Sequence, residues 1–150
     1  MNKFITHYFS ANQQRLELLY IAFRKHKNRD PEWAKRLFLL FSCGLEQQIA
    51  WNQALLFPVL QAHNDSQLNE LIHKAIDEHQ QIKDQVSWVF NLTEKGLESH
   101  DDEQRLEYLL SDHFENQEFN LYPACDKLFD VNAVTHLIEQ LASYNQTASQ

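Results

Sequence analysis

Turn chemistry is nearly absent from this chain. Two glycines and three prolines among 150 residues cannot supply the tight turns of a many-stranded protein. Basic residues are outnumbered, 13 against 21 acidic ones, for a net charge of −8. A phosphate backbone would be repelled overall, so nucleic acid is not expected as a partner. The one basic cluster, FRKHKNR from Phe23 to Arg29, reads as a helix C-terminus. The two cysteines, Cys43 and Cys125, lie far apart with no CxxC spacing, which suits a reducing cytoplasm. No apolar run approaches the roughly 20 residues of a membrane span. The opening MNKFITHYFSANQQ lacks the unbroken apolar core of a signal peptide. The expectation is a cytoplasmic protein with no membrane partner.

What is present is helix-forming. Leu, Glu, Gln, Ala and Lys dominate, and the length fits one domain over residues 1–150 with a real core. Four long segments carry helical periodicity. The first runs from about Asn2 to Lys27. Asp30 as N-cap and Pro31 in the first turn start the second, which continues to about Ala62. After the turn HNDSQ, Asp65 or Ser66 caps a third that runs to about Lys95, where Gly96 stops it. The fourth spans about Asp102 to Phe129, and a short amphipathic segment follows from Val131 to Ser143. Residues 144–150 are expected to be a frayed tail. Short connections between long helices predict an all-α fold, an antiparallel up-down-up-down four-helix bundle with a short C-terminal helix.

Spacings of three and four define the inward stripe of each helix. The first stripe is Phe9, Gln13, Leu16, Tyr20 and Phe23. The second runs from Ala34 through Leu45, Gln48, Asn52 and Leu55 to Val59. The third runs from Leu68 through Ala75, His79 and Ile82 to Val89. The fourth runs from Leu106 through His113, Gln117, Leu121 and Ala124 to Leu128. Each stripe is apolar except near its middle. Six polar residues, Gln13, Gln48, Asn52, His79, His113 and Gln117, interrupt the four seams and could meet as one buried layer. An amide buried without partners costs free energy, so these six require an explanation.

An internal repeat links them. QIAWNQALLFP (Gln48 to Pro58) and HFENQEFNLYP (His113 to Pro123) share a polar pair four residues apart and a Leu-aromatic-Pro ending. NQQRL (Asn12 to Leu16) resembles EHQQI (Glu78 to Ile82). The nearly constant offset makes the first two helices a copy of the next two. Gln13 then corresponds to His79, Gln48 to His113, and Asn52 to Gln117.

The segments CGLEQQIAWNQALLFPVL, DEHQQI and HFENQEFNLYPACDKLF resemble the hemerythrin-like, HHE cation-binding family, over nearly the whole chain. The resemblance implies a four-helix bundle with a non-haem diiron centre. One His comes from each helix, and HxxxE pairs stand on the second and fourth. Such proteins bind or sense oxygen, store or repair iron, or handle nitric oxide. Carried over position by position, the ligand places fall on Gln13, Gln48, Asn52, His79, His113 and Gln117, the six residues that break the seams. Only His79 and His113 keep a ligand type, and the two HxxxE pairs have become QxxxN and HxxxQ.

A His and a carboxylate at i and i+4 project towards one point, and carboxylates that bridge two irons also neutralise them. Amides can ligate through a carbonyl but leave that charge uncompensated. The expectation is therefore a degenerate diiron site and a non-catalytic binding or regulatory module with no cofactor. The alternative is a metal-binding protein in oxygen, nitric oxide or iron handling. It would hold iron (diiron or mononuclear) or zinc at His79 and His113, with Glu17, one turn beyond Gln13, as the best rescuing carboxylate. In the metal-free reading His79 and His113 are core histidines bonded to amides, in a layer closed by mutual hydrogen bonds or trapped water. A homodimer, an unknown protein partner and a small ligand in the former metal pocket all remain open. His7, His26, His63, His73, His100 and His136 are assigned to the surface, and Trp33, Trp51 and Trp88 to packing.

Overall fold

The computed structural model describes residues 3–148, and all regular structure among them is helical. Helix α1 (Phe4–His26) ends in Arg24, Lys25 and His26, cations that suit the negative end of its dipole. Helix α2 (Pro31–Trp51) starts as expected, with Asp30 accepting from the Trp33 amide at 3.2 Å. A five-residue π-helical segment, π1 (Asn52–Leu56), then leads into α3 (Phe57–Gln61). Helix α4 (Ser66–Glu94) is capped by Asp65, which accepts from the Leu68 amide at 3.0 Å. Gly96, at φ +66°, closes α4 in the left-handed conformation, with the Leu97 amide reaching back to the Leu92 carbonyl. Helix α5 (His100–Asn116), a second π segment π2 (Gln117–Leu121) and α6 (Tyr122–Leu128) form the fourth long run.

The last helix, α7 (Val131–Ala148), is longer than predicted. Most of the segment read as a frayed tail continues its helix, and residues 149 and 150 lie outside the described residues. Val134, Leu137 and Leu141 are buried, and this apolar face packs α7 onto the bundle near π1.

The long runs form a bundle. Helix α1 packs on α2 and on the α5–α6 run, while α4 packs on α5 and π2 and on α2 and α3. The α1–α2 approach is close at Gly44, where a Cβ would stand 2.6 Å from Leu16 Cδ2. Two carboxylates of the fourth run hold α1 at its ends. Asp126 accepts from the Ile5 and Thr6 amides at 2.8 and 3.2 Å, occupying the exposed donors of the α1 N-terminus. Glu103, only 3% exposed, receives Arg24 at 3.2 Å and also Lys27 and Ser99, and its backbone carbonyl accepts from the Tyr20 hydroxyl at 2.6 Å.

The π segments correct part of the predicted core. Each opens at the second member of a polar pair, and each is followed by a proline, Pro58 or Pro123. The amides of Phe57 and Tyr122 reach five residues back, to the carbonyls of Asn52 and Gln117. A π turn inserts about one extra residue, so the inward stripe slides by one position beyond it. Val59 and Leu128, expected inside, are each 40% exposed, whereas Leu60 and Cys125 are fully buried and Phe129 nearly so. The same slide carries Phe57 and Tyr122 into the core. Upstream of the π segments the predicted stripes are buried as read.

Candidate functional site

All six seam-breaking residues are buried, none more than 2% exposed. They separate two apolar clusters. One contains Phe9, Leu56, Phe57, Ile72 and Tyr122, and the other contains Leu16, Phe41, Leu45, Ile82 and Leu110. Along α1 and α4 the chain steps from one cluster through Gln13 or His79 into the other.

One half of the layer is an amide–hydroxyl network. Gln13 Nε2 donates to Gln117 Oε1 at 2.7 Å. The Tyr122 hydroxyl donates to that same oxygen at 3.0 Å and accepts from Asn52 Nδ2 at 3.2 Å, with Gln13 Nε2 at 3.5 Å. Gln48 Oε1 accepts from Asn12 Nδ2. Burial drives the phenol pKa far up, so Tyr122 is neutral and able to donate.

The other half is built on histidine. The rings of His79 and His113 meet edge to face, with centroids 4.8 Å apart. Phe57 stacks on His79 at 6.0 Å, nearly parallel to it. Gln53 Oε1 lies 3.0 Å from His79 Nδ1; an amide oxygen only accepts, so Nδ1 carries the proton and Nε2 keeps its lone pair. Burial, reinforced by His113 and Lys83, pushes the His79 pKa down to about 3, so the ring is neutral at pH 7. His113 Nδ1 stands 2.7 Å from Glu78 Oε1, and Asn116 Nδ2 donates to Glu78 Oε2 at 3.0 Å. Partial burial alone would raise the Glu78 pKa. The hydrogen bonds and charge of His113, with help from Asn116 and Lys74, outweigh it and hold the carboxyl below its usual range.

The repeat is thus also visible in the supporting residues. Asn12 holds Gln48 from α1 as Glu78 holds His113 from α4. Three polar atoms of the layer are buried without a partner: Asn52 Oδ1, His79 Nε2 and Gln117 Nε2. Two are acceptors and one is a donor, and a molecule meeting all three must both give and receive hydrogen bonds.

Sequence reasoning missed Tyr122, Gln53, Glu78 and Asn12 as members of this site. Tyr122 is signalled by the repeat, standing where Phe57 stands in the other half. Glu78 and Asn12 each immediately precede a seam-breaking residue, and neither stands on an inward stripe. Glu17, expected as the rescuing carboxylate, is exposed; partial burial and nearby Glu118 raise its pKa. Trp51 packs on Phe9 as expected, at 6.3 Å, whereas Trp33 and Trp88 are 42% and 49% exposed. Of the histidines assigned to the surface, His26 is half-buried and the other five are exposed. Cys43 is exposed and Cys125 buried, both as free thiols. No helix among the described residues is long and apolar enough to cross a membrane.

The donor set can be tested against a pair of bridged irons. None of the six residues is a carboxylate. Glu78, the carboxylate that reaches the layer, is engaged by His113 and Asn116. Among the described residues no group of three or more His, Cys, Asp and Glu side chains could hold an ion. With no bridging anion to offset the charge of two ions in a buried core, the residues present do not fit a diiron centre. No family model, no curated protein and no solved structure matches the chain.

Proposed function

We propose that this chain is a hemerythrin-like bundle whose diiron site has been replaced by hydrogen-bonding side chains, and that it acts as a non-catalytic binding or regulatory module. The observation that carries this reading is the bonded set Gln13, Gln117, Tyr122 and Asn52, which fills half of the layer with neutral groups bonded to one another, leaving only Asn52 Oδ1 and Gln117 Nε2 of that set open. The up-down-up-down topology belongs to the same proposal. It is supported by the Ile5–Asp126 and Tyr20–Glu103 bonds at opposite ends of α1, and by the Gln53–His79 and Phe38–Phe90 contacts along α2 and α4. A ligand entering the layer would be a small neutral molecule that donates to Asn52 Oδ1 or His79 Nε2 and accepts from Gln117 Nε2. An amide N–H in that set disfavours a cation.

One observation favours a second reading. His79 and His113 each have Nδ1 engaged by an outer partner, the arrangement that turns imidazole Nε2 towards a metal. A single zinc or iron ion could then take both histidines and the Asn52 carbonyl oxygen. Elemental analysis of the purified protein, with melting curves in chelator and in added metal, separates the two. The metal-free reading predicts no stoichiometric metal, no shift with chelator, no near-ultraviolet charge-transfer bands on iron loading, and tolerance of His79→Gln. Stoichiometric metal with a large chelator-induced fall in Tm overturns it.

A further inference from the structure

A second feature lies outside the buried layer. Helices α2 and α4, with π1 and Tyr144 of α7, line an open cleft of about 880 Å³, within the size range of small-molecule sites. Its floor is Leu45, Ile49 and Val86, all buried, and one end carries Leu39 and Phe90, which are 49% and 40% exposed. That end is fixed by the stacking of Phe38 on Phe90 at 6.2 Å. The opposite end is marked by Gln53, whose oxygen accepts from His79. The Gln53 amide hydrogens therefore remain free to donate into the cleft.

Lys83 also lines the cleft and forms no hydrogen bond or ion pair among the described residues. It stands one turn beyond His79 on the same helix face, and side chains on a helix lean towards its N-terminus, which from Lys83 is towards His79 and Gln53. Two donors, one of them cationic, thus line the part of the trough nearer His79, and the far end is apolar. Gln53 and Leu39 are 14 positions apart along the continuous α2–π1 run, or about 20 Å at helical rise. The one anionic side chain in the wall, Glu46, is exposed to solvent and forms no ion pair with Lys83 among the described residues.

We propose that this cleft binds an amphipathic carboxylate of the long-chain acyl type. Its carboxylate lies between the Lys83 ammonium and the Gln53 amide, and its apolar chain lies along Ile49 and Val86 towards Leu39 and Phe90. Because Gln53 also engages His79, an occupied cleft is felt by the buried ring. The inference goes beyond the reading of the buried layer and holds whether or not that layer takes a metal.

Cys43 provides the test. It lines the cleft and is exposed, whereas Cys125 is fully buried and its thiol pKa is raised by burial and by Asp126. Alkylation of the native full chain therefore reads Cys43 alone. Micromolar dodecanoate, below its aggregation threshold, is expected to slow that reaction several-fold and to shift the His79 ring resonances. Dodecanol and dodecyltrimethylammonium should do neither. Protection should be lost in Lys83→Met and in Ser87→Trp, which fills the trough; both sites are exposed, and circular dichroism checks the fold. Absence of protection by dodecanoate overturns the proposal, as does equal protection by all three amphiphiles or protection undiminished in Lys83→Met.

Discussion

Replacing Tyr122 by Phe tests the amide–hydroxyl network most sharply, because it removes one oxygen and keeps the ring. The ring stays against Phe9, with centroids 5.0 Å apart, so packing is preserved. Gln13 Nε2 retains Gln117 Oε1 at 2.7 Å, but Asn52 Nδ2 loses the hydroxyl that was its side-chain acceptor at 3.2 Å. A buried donor left without a partner costs about 1–3 kcal/mol. For a chain of this size that lowers Tm by roughly 2–4 °C per kcal/mol, so a fall of about 5 °C is expected. Urea unfolding should show a lower midpoint with an unchanged slope. Adding Asn52→Leu removes the stranded donor. The double variant should then cost less than the sum of the single changes, with a coupling of about 1 kcal/mol. If Tyr122→Phe leaves the midpoint where it was, or the two changes are additive, the bonded layer described above does not hold the core together.

Three further predictions address the register, the clamp on α1 and the buried imidazole. Leu60→Ala should cost about 2–5 kcal/mol while its neighbour Val59→Ala costs under about 1 kcal/mol; a reversed order in urea melts would contradict the π1 slide. Glu103→Ala leaves Arg24 and Lys27 without their shared carboxylate and should destabilise by on the order of 3 kcal/mol, whereas substitution of exposed Glu115 should change the midpoint little. Stability should fall as pH drops from about 6.5 towards 4, by about 1.4 kcal/mol per pH unit for His79, since the unfolded chain takes up a proton that the folded chain, with a pKa of about 3, refuses. Glu78 adds to this loss as pH falls from about 4.5 through its lowered folded pKa. His79→Gln should flatten the upper part of the profile, and an unaltered profile would count against a neutral buried ring.

The buried layer was legible because helical spacing holds up to each polar pair: Gln48 and Asn52, and His113 and Gln117, lie on one face and are all buried. Beyond those pairs the same spacing held at Leu121 but failed at Val59 and Leu128. Each π turn adds a residue, and periodicity alone carries no sign of it. The sign that existed was chemical and repeated: a proline six positions after Asn52 and again after Gln117, unable to donate a backbone hydrogen bond. The buried acids Glu103 and Asp126 were not anticipated, because acids are rarely buried without partners. Apart from Ser99, which is local to Glu103, their partners lie on or just after α1, about 80 and 120 residues away in sequence, where no local pattern announces them. The amphipathic stripe of the last helix was recognised, but its polar C-terminal residues concealed how far the helix continues.

The most direct test of the central claim is anomalous X-ray diffraction at the iron edge, on crystals of the full-length protein soaked in excess ferrous iron. The account predicts no pair of bridged ions in the layer formed by Gln13, Gln48, Asn52, His79, His113 and Gln117, with Tyr122 still bonded to Asn52 and Gln117. Two iron peaks bridged by oxygen among those residues would contradict it.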